Sequence, residues 1–422
     1  MTTRITTENI TDATIGTADL ASSVPLNTQW QAVVTASTLT AVAGRGYFID
    51  TTSNTCTVTL PGSPSAGDVV VLKDYARNWG TNAVTIASAL TDGSTGANTF
   101  STAGQTVTLV YMDGTKGWSL INEDTTSLLG PKFITATGGT ITTVDTDYKV
   151  HTFTGDGCFV VSCAGNPSGS DTVDYMVVAG GGGGGGATAG ASGAGGGGAG
   201  GFRESSGVAS GSYSASPLGA CVSALPLSET SYPITVGGGG STTPAPGLAS
   251  NGSNSIFSTI TSAGGGGSGS KNVQSSAGGS GAGGAADTYP CGAAGNTPPT
   301  SPPQGQPGGP KGGDNGGGGG GGGATGGTAS PYNGATGGNG VTTSINTSSV
   351  TRAGGGGGGA FSGAGGSGGS GGGGAGSADV NSTPGTVNTG GGGGGAGSGP
   401  GQPTVCGANG GSGIVIIRYK FQ

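Results

Sequence analysis

The stretch from Gly180 to Gly413 limits what this chain can fold into more than any other part of it. Of the 103 glycines in the 422-residue chain, 18 precede Gly180 and none follows Gly413, which leaves 85 among these 234 residues. Uninterrupted runs stand at 180–186, 316–323, 354–359 and 390–395. Collagen needs glycine strictly at every third position, and these runs break that frame. A flexible linker tolerates the composition but has no use for several separate runs with varied text between them. What remains is the extended left-handed helix with three residues per turn and no internal hydrogen bonds. Its amides and carbonyls point outward in three directions, so helices packed side by side can bond to one another and leave no buried backbone group unpaired. Only glycine lets neighbours approach on every face. Ordering glycine costs more entropy than ordering any other residue, so hydrogen bonding and close packing must offset it. The tracts are therefore expected to form a polyglycine II bundle that tolerates no side chains.

The flanks read as β. The run from Val173 to Val178 leads directly into the first glycine tract, and Ile414 to Phe421 follows the last. An exposed apolar edge of this kind invites aggregation, so the two are expected to pair and bring both ends of the glycine stretch to one base. Between Trp30 and Asn122, Cys56, Val58 and Leu60 alternate with threonines, and so do Val107 and Leu109. Breakers such as Asp92-Gly93 and Asp113-Gly114 separate these runs. About seven or eight short strands at this spacing predict a jelly-roll-like β-sandwich. At the start of the chain, Ile5, Ile10, Ile15 and Leu20 recur every five residues, a period that neither a helix nor a strand buries. Three chains winding together would bury it on a shared axis, which predicts a homotrimer held by residues 1–179. The expected fold is all-β plus polyglycine II. It divides into a shaft or attachment segment (1–25), the sandwich (26–125), a linker and β base (126–179), the glycine-rich region (180–413) and a returning strand (414–422).

Little in the chain suits catalysis. His151 is the one histidine, and it stands in a strand pattern beside Val150 and Phe153, where packing explains it. With so few general acids and bases, no enzymatic activity is expected. Gly365-Gly366-Ser367-Gly368-Gly369 matches the nucleophile-elbow spacing, but glycine and serine at this density produce such matches freely. The six cysteines form no CxxC pair, so neither a zinc site nor any other metal or cofactor is expected. Thirteen basic residues against twenty acidic ones give a net charge of −7, the wrong balance for neutralising phosphates, so no nucleic-acid partner is expected. No apolar run reaches the ~20 residues of a membrane span, and no basic-then-apolar leader is present.

The text also resembles a known family. Leu60-Pro61, Ala66-Gly67-Asp68, Lys73-Asp74 and Gly117-Trp118-Ser119-Leu120-Ile121 resemble the small β-domains of bacteriophage tail fibres. Asp174-Tyr175-Met176-Val177-Val178-Ala179-Gly180, Tyr232-Pro233-Ile234-Thr235-Val236-Gly237 and the ending Ile414-Val415-Ile416-Ile417-Arg418-Tyr419 resemble the glycine-rich domain found in many phage tail proteins. The resemblance implies a tail-fibre adhesin, made in the host cytoplasm and carried on the virion. Its N-terminal end would sit on a tail or baseplate protein. Its inter-tract loops would bind a surface glycan or an outer-membrane protein of the host. A fibre or capsid decoration protein that binds nothing fits the same text. The loops are 202–231, 241–251, 285–311, 329–352, 377–389 and 400–406, and the first is the expected tip. Tyr213, Tyr289 and Tyr332 stand in them, either as contact residues, for which tyrosine suits, or as caps on the bundle.

Overall fold

The chain divides into two compact units, Met1–Pro131 and Lys132–Gln422. The computed structural model describes residues 28–121 and 131–422, apart from Ala191, Ser212, Ala220 and Asp287. The row Ile5, Ile10, Ile15 and Leu20, and with it the expected trimer axis, lies outside the described residues. The fold is nearly all β, with no α-helix among the described residues.

The first unit holds β1 (Gln29–Trp30), β2 (Thr38–Thr40), β3 (Arg45–Ile49), β4 (Cys56–Thr59), β5 (Val69–Asp74), β6 (Val84–Thr91), β7 (Ser94–Phe100), β8 (Thr106–Asp113) and β9 (Gly117–Leu120). The expected alternation holds in β4, where Cys56 and Val58 are buried and Thr57 and Thr59 exposed. The jelly-roll expectation needs correcting. A jelly roll joins its strands antiparallel, whereas β1, β3 and β5 pair parallel, and so do β2, β4 and β6. The chain therefore winds in successive coils, each strand returning beside the one two before it. The antiparallel pairs β5–β8 and β8–β9 and the parallel pair β9–β6 join the two sets into one curled sheet. Its two halves enclose a single core containing Ile49, Leu72 and Leu109 from one side and Val58 and Ile86 from the other. Buried Asp74 accepts hydrogen bonds from the amides of Asn78, Trp79 and Gly104, which fixes the loop that places Trp79 in this core.

The second unit starts at Lys132, so most of the segment read as linker and base belongs to it. It contains β10 (Thr135–Thr137), β11 (Thr140–Val144), β12 (Tyr148–Phe153), β13 (Gly157–Cys163), β14 (Thr172–Val178), β15 (Phe202–Glu204), β16 (Leu225–Pro226), β17 (Ser231–Thr235), β18 (Ser255–Phe257), β19 (Ile260–Ser262), β20 (Val341–Thr343), β21 (Val350–Arg352) and β22 (Ile414–Lys420). One sheet runs β10-β13-β17-β18-β19 and another β11-β12-β22-β14-β15, and aromatic residues including Phe159, Tyr175, Phe257 and Tyr419 pack in one core drawn from both. Val178 of β14 stands opposite Ile414 of β22, so the glycine stretch does begin and end at one place.

Between those two strands the backbone bonds follow a strict recurrence. The amides of Gly180 and Gly183 donate to the Ser253 and Ser250 carbonyls, those of Gly181 and Gly184 to Gly411 and Ala408, and those of Gly182 and Gly185 to Gly198 and Gly195. Each of these neighbours is met again after three residues, and each runs antiparallel. The carbonyls turn to other segments. Those of Gly180 and Gly183 accept from Gly265 and Ser268, and those of Gly182 and Gly185 from Gly393 and Ala396, both running parallel. Contact is so close that a Cβ on Gly184 would lie 2.0 Å from the Gly394 oxygen, and one on Gly182 would lie 2.1 Å from that of Gly266. At the periphery, exposed asparagines stand in for a missing tract. Asn251 and Asn254 accept from the Gly267 and Gly264 amides at 2.8 and 2.9 Å, and Asn333 and Asn339 from Ala364 and Ser370 at 2.9 and 3.1 Å.

Candidate binding surface

The register of the tracts shows at which of two ends of the second unit a turn lies. One end is the sheet end, where Val178 pairs with both Phe202 and Ile414. Residues 193–201 lead back towards it, and the segment after Ser280 runs away from it, since Ser280, Gly283 and Ala286 donate to Ala199, Gly196 and Gly193 in turn. The turn at 288–291 therefore lies at the far end. The Gly193 amide donates to the Asp314 carbonyl, the Asn315 side chain to the Ser330 carbonyl at 3.0 Å, and the Phe361 amide to Asn315 Oδ1 at 2.7 Å. These bonds bring the turns at 311–315, 330–333 and 361–363 to the same end.

The loop expected at the tip lies at the opposite end. Residues 202–231 begin with β15 and end at β17, both at the sheet end, and a buried polar network holds them there. Asp174, on β14, accepts hydrogen bonds from Ser205 Oγ, the Gly207 amide, and both the amide and Oγ of Ser210. Directly across the pair on β22, buried Arg418 donates to the carbonyls of Ser210 and Ile345 and forms an ion pair with Asp145 at 2.7 Å. Glu204 accepts from the Ser216 amide at 2.8 Å and from the Thr343 hydroxyl, while burial pushes its carboxyl above the usual range. Tyr213 is thereby drawn inward: its ring lies under the Arg418 guanidinium, 5.5 Å away, and its hydroxyl is buried. Burial also raises its pKa. Its ring packs at the sheet end. The signal in the sequence was Asp174 and Arg418, two charges inside otherwise apolar strands, since buried charges are paired.

The other two tyrosines do reach the far end. Tyr332 is 73% exposed, in a turn fixed by Ser330 Oγ, which accepts from the Asn333 amide at 2.9 Å. Tyr289 is 39% exposed and borders an open cleft of about 180 Å³ between the turns at 271–274 and 288–291. The 311–315 turn links the two tyrosine turns, because the Lys311 amide donates to the Pro290 carbonyl. The long loops at 285–311 and 329–352 each touch both ends. Phe202 and Ala263 bond to Gln304, and Ser344 to Ser214, at the sheet end.

The glycine-rich domain profile matches residues 159–420, the span from β13 to β22 that contains every tract. The chain belongs to the glycine-rich domain family. No curated protein matches the chain.

Just before the matched glycine-rich domain, the single histidine is built into the core of the second unit. His151 Nδ1 donates to the Gly138 carbonyl at 2.7 Å, and Nε2 shares a hydrogen bond of 3.0 Å with the Tyr419 hydroxyl. Burial holds its pKa down and pushes that of Tyr419 up to about 12. Cys158, Cys221 and Cys291 are exposed free thiols, and Cys163 and Cys406 are partly covered. Cys56, in the first unit, is buried, which raises its thiol pKa. Among the described residues no cluster of three or more His, Cys, Asp or Glu side chains could hold a metal ion. The first unit has its own cleft of about 370 Å³, lined in part by Leu60, Pro61, Leu90, Tyr111 and Trp118.

Proposed function

We propose that the protein is a bacteriophage tail fibre that attaches the virion to its host through the far-end turns of its glycine-rich domain. The tracts act as polyglycine II helices, a rigid frame for the turns they connect. The first residues assemble a homotrimer, with the five-residue apolar row on its axis, and join a tail or baseplate protein. Contact falls to Tyr332 and Tyr289, with a surface glycan or an outer-membrane protein as receptor and no catalytic turnover. The protein is made in the host cytoplasm and works on the virion. The observation that carries this reading is the exposure of Tyr332 and Tyr289 on short, hydrogen-bonded turns at the end away from the sheets. Loops on a rigid scaffold commonly carry recognition, and such fixed aromatics lose little freedom on binding.

The test is the double variant Tyr289→Ala, Tyr332→Ala in the full chain, with adsorption to host cells measured for virions that carry it. Removing two central contact aromatics should slow adsorption by at least about tenfold. Unchanged adsorption by folded double variant would defeat the reading. The second reading is a structural fibre or decoration protein that binds nothing, which the shortness of the far-end turns favours. An image of the particle at low resolution separates a projecting fibre from a coat.

A further inference from the structure

We propose that the cleft beside Tyr289 binds one neutral hexopyranose, the terminal residue of a surface glycan, with its ring face against the tyrosine. This rests on the far end being the contact surface and names the chemistry it recognises. The cleft is lined by Gln274, Ser275, Thr288, Tyr289, Pro290 and Cys291, together with the backbone that follows. Its volume of about 180 Å³ is below the ~300 Å³ at which pockets for drug-sized ligands begin, and so suits a single ring.

The walls are already fixed. Thr288 Oγ1 donates to Asn272 Oδ1 at 2.7 Å, which ties the two turns together. Ser275 Oγ donates to the Gly283 carbonyl at 2.7 Å and accepts from the Gly269 amide at 3.1 Å, so it is spent on the frame. Pro290 is held through its carbonyl by the Lys311 amide at 2.8 Å. A cleft built this way needs little ordering when a ligand arrives.

Its chemistry is divided as a sugar's is. A pyranose has an apolar C–H face and a rim of hydroxyls that both donate and accept. The Tyr289 ring offers a half-exposed apolar face, and the Pro290 ring adjoins it in the lining. Gln274 is exposed and spends neither end of its amide on the protein among the described residues. One amide supplies a donor and an acceptor side by side, the pattern that two adjacent hydroxyls match. No charged side chain lines the cleft among the described residues, which selects a neutral sugar over an acidic one. One ring in an open cleft binds weakly, with Kd in the ~mM range, and tight attachment then comes from many copies.

Cys291 reports occupancy directly. It is an exposed free thiol in the lining, and Cys158 and Cys221 are exposed thiols at the sheet end. The full chain is alkylated with iodoacetamide in the presence of glucose, galactose, mannose or N-acetylglucosamine, and each cysteine is followed by peptide mass spectrometry. A sugar at about three times its Kd fills about three quarters of the sites, so Cys291 should label about fourfold more slowly. Cys158 and Cys221 should keep their rates. Tyr289→Ala and Gln274→Ala should each abolish the protection, with the two reference thiols again unchanged as a check on the fold. The proposal falls if no sugar of the panel slows Cys291 selectively, or if protection survives Tyr289→Ala. Loss of adsorption in Tyr332→Ala without any sugar protection overturns the sugar site and leaves far-end adhesion standing. Sugar protection alongside unchanged adsorption of the double tyrosine variant supports the site and defeats the adhesion reading.

Discussion

A methyl group on Gly319 would lie 1.9 Å from the Gly197 carbonyl oxygen, whereas one on Gly238 would meet nothing within 4 Å. Both glycines belong to the same kind of tract, so the pair separates crowding from propensity. Gly319→Ala should cost about 3 kcal/mol or more, since a backbone neighbour has to move. Gly238→Ala should be neutral or stabilise by ~0.4–1 kcal/mol, by narrowing the unfolded ensemble. Urea midpoints of the two variants test this, and equal midpoints would contradict close packing around Gly319. His151 makes a second prediction at this scale. Its folded pKa is depressed, so the unfolded chain takes up a proton below pH ~6.5 where the folded chain does not. Stability should be complete above that pH and decline as the pH falls towards the folded value. The raised pKa of Glu204 acts in the opposite sense, with stability lost as the pH rises past its unfolded value. Comparing urea midpoints from pH 7.5 to pH 5 with those of His151→Gln isolates the histidine's share, and identical slopes would show that it does not titrate as argued.

At the scale of elements, the decisive unit is the pair β14–β22 with the polar loop it clamps. Asp174→Ala removes the acceptor for two hydroxyls and two amides, while Arg418 keeps its ion pair with Asp145. Leaving buried donors without their acceptor costs ~1–3 kcal/mol for each that finds no other partner. Limited proteolysis should then cut within 205–216, and a variant that keeps both its urea midpoint and its resistance there would show the network to be idle. This network also marks where reading the sequence stopped. The alternation in β4 and the tight tracts were legible because each is a local pattern, and the pairing of the flanks because two long apolar strands each needed a partner. The end at which 202–231 lies was not, because Asp174 and Arg418 fix it across more than two hundred residues of chain. Tyr213 was misplaced for that reason, and Tyr289 and Tyr332 were separated from it only by the register of the tracts. The parallel coils of the first unit escaped as well, since alternation tells which face a residue takes and nothing of the direction of the neighbouring strand.

The whole molecule contains two units with separate cores, one around Leu72 and Trp79 and one around Phe159 and Tyr419. Calorimetry should therefore resolve two transitions, and a single two-state transition for the full chain would argue against independent units. The transitions should also differ in kind. The first unit buries aliphatic and aromatic side chains, while most of the second buries peptide groups against peptide groups. Exposing apolar surface raises the heat capacity and exposing polar surface lowers it. The second transition should thus show a heat-capacity increment per residue well below the usual ~12–15 cal/mol/K, and a value within that range would contradict an interior made of backbone. A small increment flattens the curve of stability against temperature. Such a domain would hold nearly the same margin of stability in the cold as in warmth, a part that hardly registers the change of season.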